Sequence, residues 1–189
     1  NKGKDLQFKL LSAFKPEEQE SIRKKIISNP DYDWDDGEVY SWTSQNHWFF
    51  HDALVGFVNA HLYGIYKFIA YPESQRAQGN GIFVQKDYRG QKLAVPLSLM
   101  LYEYLSQQDY KKFRRNSPDK NREGYAAAKK LEDNLIKFMR SHAVNLSPGH
   151  LEIDLAEFSL PRKYRALLKN RQDSDRSKTP TEDNKLYVL

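Results

Sequence analysis

The stretch that most constrains this chain is Gly81-Ile-Phe-Val-Gln-Lys-Asp-Tyr-Arg-Gly-Gln-Lys-Leu-Ala94. A short apolar run, Ile82 to Val84, reads as a strand. It enters a charged turn holding Arg89, Gly90, Gln91 and Lys92. An apolar pattern then begins at Leu93 and recurs at Leu97, Met100, Leu101, Tyr104 and Leu105. That spacing is one face of an amphipathic helix packed on a sheet. Pro96 falls in its first turn, where a missing N–H costs least. The first N–H groups of a helix have no intrahelical acceptor, and the dipole adds roughly half a positive charge there. A strand, a basic turn and a helix start together make a cradle for an anion such as a pyrophosphate.

The elements around this unit define a mixed fold. Leu6 to Leu11 reads as a first strand, and Pro16-Glu-Glu18 opens a helix that buries Ile22, Ile26 and Ile27 and stops at Asn29-Pro30. Asp31 to Gly37 reads as an acidic loop. Trp48 to His51 and Leu54 to Tyr63 read as two strands, with Asp52-Ala53 as a tight connection. Ile65 to Tyr71 extends the sheet until Pro72. Glu73 to Asn80 is polar and loop-like, and the next strand starts at Gly81. Beyond the long helix come a basic strand at Tyr110 to Arg115, a helix over Asn121 to Arg140 and a strand at Leu151 to Leu155. Pro161 to Lys169 reads as a short basic helix. Arg171 to Asn184 is low in apolar residues and is expected to be disordered.

The chain has 189 residues, 39% hydrophobic and 13% aromatic, which is enough for a core of its own. A mean hydropathy of −0.81 adds long solvated segments. The expected division is one domain over 1–160, followed by a basic helix and flexible tail over 161–189. No apolar run approaches the ~18 residues of a membrane helix, and Asn1-Lys-Gly-Lys4 has no apolar leader region. There is no cysteine, which excludes disulfides, thiolate zinc sites and a cysteine nucleophile, and fits a cytoplasmic setting. His47, His51, His61, His142 and His150 show no metal-ligand spacing, so no metal is expected. There is no P-loop and no Gly-x-Ser-x-Gly elbow. The net charge of +5, with clusters at Lys111 to Arg115 and Arg162 to Arg165, suggests an anionic partner.

The order of elements, together with Val84-Gln-Lys-Asp-Tyr-Arg-Gly-Gln-Lys-Leu-Ala94 and Leu54-Val-Gly-Phe57, resembles the GNAT superfamily of acyl-coenzyme A-dependent N-acyltransferases. The resemblance spans about residues 6 to 140. It implies an α+β fold, a central, mostly antiparallel twisted sheet flanked by helices. It implies acetyl-CoA as cosubstrate and direct attack by an acceptor amine in a ternary complex. Arg89 and Lys92 would then meet the pyrophosphate, and Gly90, Gln91, Leu93 and Ala94 would offer backbone N–H groups. Phe83 and Val84 would lie along the pantetheine arm. Lys92 stands where the family usually has its central Gly, and there it would keep the backbone helical while adding a charge. Asn80 stands where the family often has a Glu base, which leaves Glu73 or His61 to act through water. The family often has a general-acid Tyr after its fifth strand, and Tyr125, near the start of the helix there, is either that acid or a packing residue. The acceptor is expected to be an amine on an acidic protein or an RNA. The competing expectation is the same fold used as a non-catalytic binding module for nucleic acid or an acidic protein.

Overall fold

The computed structural model describes residues 5–30, 39–116, 125–139, 144–147, 150–156, 158–162 and 164–165. Within them, a seven-stranded sheet has the order β1-β2-β3-β4-β5-β7-β6. The strands are β1 Leu6–Leu10, β2 Phe50–Val58, β3 His61–Tyr71, β4 Arg76–Val84, β5 Lys112–Asn116, β6 Val144–Ser147 and β7 His150–Asp154. Every neighbouring pair is antiparallel except β4 and β5, which run parallel. The helices are α1 Pro16–Ile27, α2 Ala94–Gln107 and α3 Tyr125–Met139. This is the mixed, mostly antiparallel architecture expected from the sequence.

Local chemistry accounts for the helix ends. Pro16 takes the first position of α1, Glu17 and Glu18 fill its first turn, and Lys24 and Lys25 fill its last. The Glu18 carboxylate accepts from the Lys15 N–H at 3.0 Å, which satisfies one donor at that end. α2 is apolar on most of its surface and buries Leu97, Leu99, Met100, Leu101 and Leu105. It packs on the sheet beside α3, and Leu131, Leu135 and Met139 of α3 join the same core. On the other face, α1 and the segment around Trp42 cover Ala53, Val55 and Ile65 in a second core.

Three strand boundaries differ from the sequence reading. The proposed break at Asp52-Ala53 lies inside β2, which runs unbroken from Phe50 to Val58. The run Leu54 to Tyr63 is instead divided by a hairpin. Asn59 (φ 49°) and Ala60 (φ 65°) form its two-residue turn, both in left-handed geometry. The stretch Glu73 to Asn80 is not all loop, because β4 already begins at Arg76. β6 was not read from the sequence at all. The acidic loop 31–37 and the tail 171–184 lie outside the described residues, as does most of the helix expected over 161–169.

Asp52 looks like a turn residue in the sequence, yet it is only 4% exposed. Its Oδ1 accepts from the Ser12 N–H at 3.2 Å and the Ala53 N–H at 2.7 Å, and its Oδ2 accepts from the Ser12 hydroxyl. It therefore pins the chain leaving β1 to the first part of β2. Burial pushes its carboxyl up from 3.8 to about 6, against the pull of these hydrogen bonds and of the Arg23 charge. Between those values the folded state keeps a proton that the unfolded chain releases. Stability is therefore greatest below pH 4 for this group and falls as pH rises to about 6, by roughly 3 kcal/mol in all. Asp52→Asn keeps the two N–H acceptor contacts and donates to Ser12, without the charge. Urea midpoints measured from pH 4 to 7 should fall less in this variant than in the parent. Parallel curves would remove Asp52 as the source of the slope.

Candidate functional site

The two edges of β4 are treated differently. Along β3 it is paired from Tyr71↔Arg76 to Gly64↔Val84. The register shifts between Lys67↔Gly81 and Phe68↔Gly79, so Asn80 is the extra residue of a β-bulge. Gly81 sits there at φ 131°, a geometry that side-chain-bearing residues avoid. Along β5, pairing covers only Arg76↔Lys112 to Gly79↔Arg115. From Gly81 to Val84 this edge has no strand partner among the described residues. The sheet thus opens into a wedge with its crotch at Gly79 and Arg115. A Cβ on Gly79 would stand 2.7 Å from the Tyr66 hydroxyl and 2.9 Å from the Phe113 ring, so only glycine lets β4 lie this close. Arg115 and Glu132 are buried on this helix-covered side, with Tyr66 and Tyr102, whose phenols burial pushes up.

The open edge leads directly into the basic turn. Gly90 (φ 77°) and Lys92 (φ 60°) are both left-handed, and α2 starts two residues later. The expectation that Lys92 keeps helical geometry is therefore corrected. The turn demands a left-handed residue, which glycine supplies freely and which costs lysine about 1–2 kcal/mol. The backbone keeps the shape a glycine would give it and gains an exposed ammonium at the helix start. Among the described residues, no hydrogen bond engages the N–H groups of Gly90, Lys92, Leu93 or Ala94. They cluster at the positive end of a 14-residue helix.

The turn is braced from both sides. Arg89 donates from Nε to the Val84 carbonyl at 2.9 Å, and its guanidinium lies 5.9 Å from the centre of the Phe83 ring. Gln91 donates from its side chain to the Asp87 carbonyl at 2.9 Å. From beneath, the Tyr63 hydroxyl donates to the Leu93 carbonyl at 3.2 Å. Tyr63 reaches it because Gly56 leaves its ring room, a Cβ there meeting the ring at 2.7 Å. Arg89 is thus partly engaged in holding the turn, with its terminal nitrogens available to an anion.

The structure brings most of the expected site residues together. Phe83 and Val84 form the open edge, and Arg89 to Ala94 form the cradle at its end. Tyr125 is the half-buried first residue of α3, the helix that follows β5 and its side of the wedge. Glu73 is not brought in. It is exposed in the turn between β3 and β4, beyond the strand stretch Arg76 to Asn80, which spans roughly 13 Å at about 3.3 Å per residue. His61 is exposed at the hairpin, three residues beyond the Gly64↔Val84 pair, and so sits at the turn end of the wedge. Asn80 is exposed at the bulge itself. The resemblance implies a bulge on this strand, and the register places it at Asn80, between two glycines, in a stretch that the sequence pattern reads as loop. Among the described residues, no three His, Cys, Asp or Glu gather to hold a metal, and no helix is long and apolar enough to cross a membrane.

No family model and no curated protein matches the chain by sequence. Solved structures do match it in shape. GCN5 of Tetrahymena superposes with a TM-score of 0.55 at 12% identity, over 82% of this chain and 99% of that one. The ribosomal-protein-S18-alanine N-acetyltransferase from Escherichia coli gives 0.53 at 14% identity, over 80% and 96%. An acetyltransferase of the GNAT family from Staphylococcus aureus Mu50 gives 0.51 at 12% identity, over 79% and 99%. The fold is that of the GNAT acetyltransferases.

Proposed function

We propose that this protein is an N-acetyltransferase that uses acetyl-coenzyme A as cosubstrate. The observation that carries this reading is the unpaired edge of β4 from Gly81 to Val84, running into the free N–H groups at the start of α2. A pantetheine arm carries two amides, and the open strand edge offers backbone groups to pair with them. A pyrophosphate matches the positive end of α2, with Lys92 and the free end of Arg89 beside it. The thioester supplies an activated acetyl group. The acceptor nitrogen bonds to its carbonyl carbon, the C–S bond breaks, and the thiolate leaves. Backbone N–H groups at the bulge polarise the carbonyl, and Tyr125 gives a proton to the sulfur. Asn80 takes no proton and Glu73 lies at the wrong end of β4, so the amine reaches the site neutral, and the proton its nitrogen sheds after attack passes through water and restores the one Tyr125 gave. The preserved turn geometry at Lys92 favours this over a non-catalytic binding module.

A thermal-shift titration tests the reading. Acetyl-coenzyme A at 100 times its dissociation constant should add about 2.7 kcal/mol to the stability of the protein. No shift up to millimolar concentration rejects the proposal.

A further inference from the structure

The two faces of the sheet are covered unequally. α2 and α3 cover one face, where Ala77, Phe113 and Ile153 are buried. On the other, the described cover consists of α1 and the segment around Trp42, packed on Leu11, Ala53, Val55 and Ile65. Side chains alternate along a strand, so Arg76, Gln78, Lys112, Arg114 and Glu152 stand on this second face beside that cover. With Tyr71 they line a shallow groove of about 180 Å³ over β4, β5 and β7.

The groove lining holds three cations, Arg76, Lys112 and Arg114, against one carboxylate, Glu152, with Asp154 opposite Lys112 on β7. Lys112 and Glu152 neutralise each other through a 2.9 Å contact. Arg76 and Arg114 are exposed, and among the described residues neither makes a hydrogen bond or ion pair. Gln78 pairs with Arg114 in the register, two residues before the bulge at Asn80, and Arg76 pairs with Lys112, four residues before it. At about 3.3 Å per residue these cations lie roughly 7 and 13 Å along the strand from the bulge. Tyr66, Tyr102, Arg115 and Glu132 fill the helix side of the wedge, and the groove lies on the opposite face, next to the bulge along β4.

We propose that this groove is the acceptor surface and that it selects an amine carried on an acidic peptide, with carboxylates two to four residues from the reacting nitrogen. The inference rests on the acetyl-transfer reading for the chemistry, and on the groove alone for the selectivity. A polyamine or a basic tail would meet Arg76 and Arg114 as like charges.

The test uses the full chain and two matched extended peptides with free N-termini, one bearing Glu and the other Arg at the third and fifth residues. The Glu peptide should be acetylated with a kcat/KM about tenfold higher at low salt, and the gap should close as salt rises. The Arg76→Glu, Arg114→Glu double variant should reverse the preference while its thermal shift with acetyl-coenzyme A stays that of the parent. Fluorescence anisotropy of the same peptides, labelled at the C-terminus and titrated with protein alone, should give the same order without any transfer. Equal use of the two peptides, or a Glu preference that survives charge reversal, overturns the proposal. So does an RNA oligonucleotide that binds more tightly than the Glu peptide and displaces it, which would make this a nucleic-acid surface. Selective peptide binding without a shift by acetyl-coenzyme A would overturn the acetyl-transfer reading and leave the groove standing.

Discussion

Tyr125→Phe should lower kcat by about 10² to 10⁴ and leave affinity for acetyl-coenzyme A unchanged. The expected size follows from the leaving group. A free thiol has a reference pKa near 8.5, so a departing thiolate is helped by a donor held beside it. Tyr125 opens α3 and is half-buried. The chain reaches it after β5, whose divergence from β4 makes the wedge. Phe keeps the ring and removes only the hydroxyl, so packing is preserved while the proton is lost. Single-turnover rates with any accepted amine, alongside cosubstrate titrations, separate the two quantities. A variant with lower stability and full specific activity would place Tyr125 in the core as a packing residue.

Replacing Arg89 and Lys92 together by Ala should weaken acetyl-coenzyme A binding by roughly 1.5–3 kcal/mol for each charged hydrogen bond lost. The pair is informative because the two residues differ in what else they do. Ala at position 92 keeps the left-handed penalty that Lys already bears, so the change there is one of charge. Arg89 also donates to the Val84 carbonyl, so its loss loosens the end of β4. Arg89→Lys as a companion keeps the charge and gives up the guanidinium contact. Competition binding at two salt concentrations reads both effects. An affinity equal to that of the parent in the double variant would remove the turn from the site.

The parts of the fold that were readable in the sequence are those where one residue type has one conformational use. Pro16 and Pro96 locate the starts of α1 and α2, and the apolar spacing from Leu93 to Leu105 gives the buried face of α2. The basic turn was readable because charges and a glycine interrupt two apolar patterns. The hairpin between β2 and β3 was hidden because Ala60 takes a position where glycine is usual. Asp52 was misread because a buried, hydrogen-bonded carboxylate has the same letter as a turn residue. The first half of β4 was hidden by Gln78-Gly-Asn-Gly81, which is loop-like in composition and is a bulged strand in fact. β6 is short, and Pro148 and Gly149 after it leave little strand pattern to detect.

The site divides along the same line. The cradle from Arg89 to Ala94 is contiguous, so the sequence alone assembles it. The open edge depends on where β5 stops pairing with β4, which involves residues more than thirty positions apart. Glu73 was a candidate base because it is near Asn80 in sequence, but it lies in the turn before β4, and the strand from Arg76 carries the chain away from it to the bulge. The acceptor groove was invisible because Arg76, Lys112, Arg114 and Glu152 come from three strands, joined only by register.

Acetyl-coenzyme A is expected to fill the open edge of β4 and the turn beyond it as one continuous site. Isothermal calorimetry with acetyl-coenzyme A, and then with acetyl-pantetheine lacking the pyrophosphate and nucleotide, tests it most directly. The account predicts one molecule of acetyl-coenzyme A bound per chain, and at least about tenfold weaker binding of the truncated thioester, since it forfeits the charge-assisted hydrogen bonds of the turn. The absence of heat and of competition at millimolar acetyl-coenzyme A, or equal affinity for the two compounds, would contradict it.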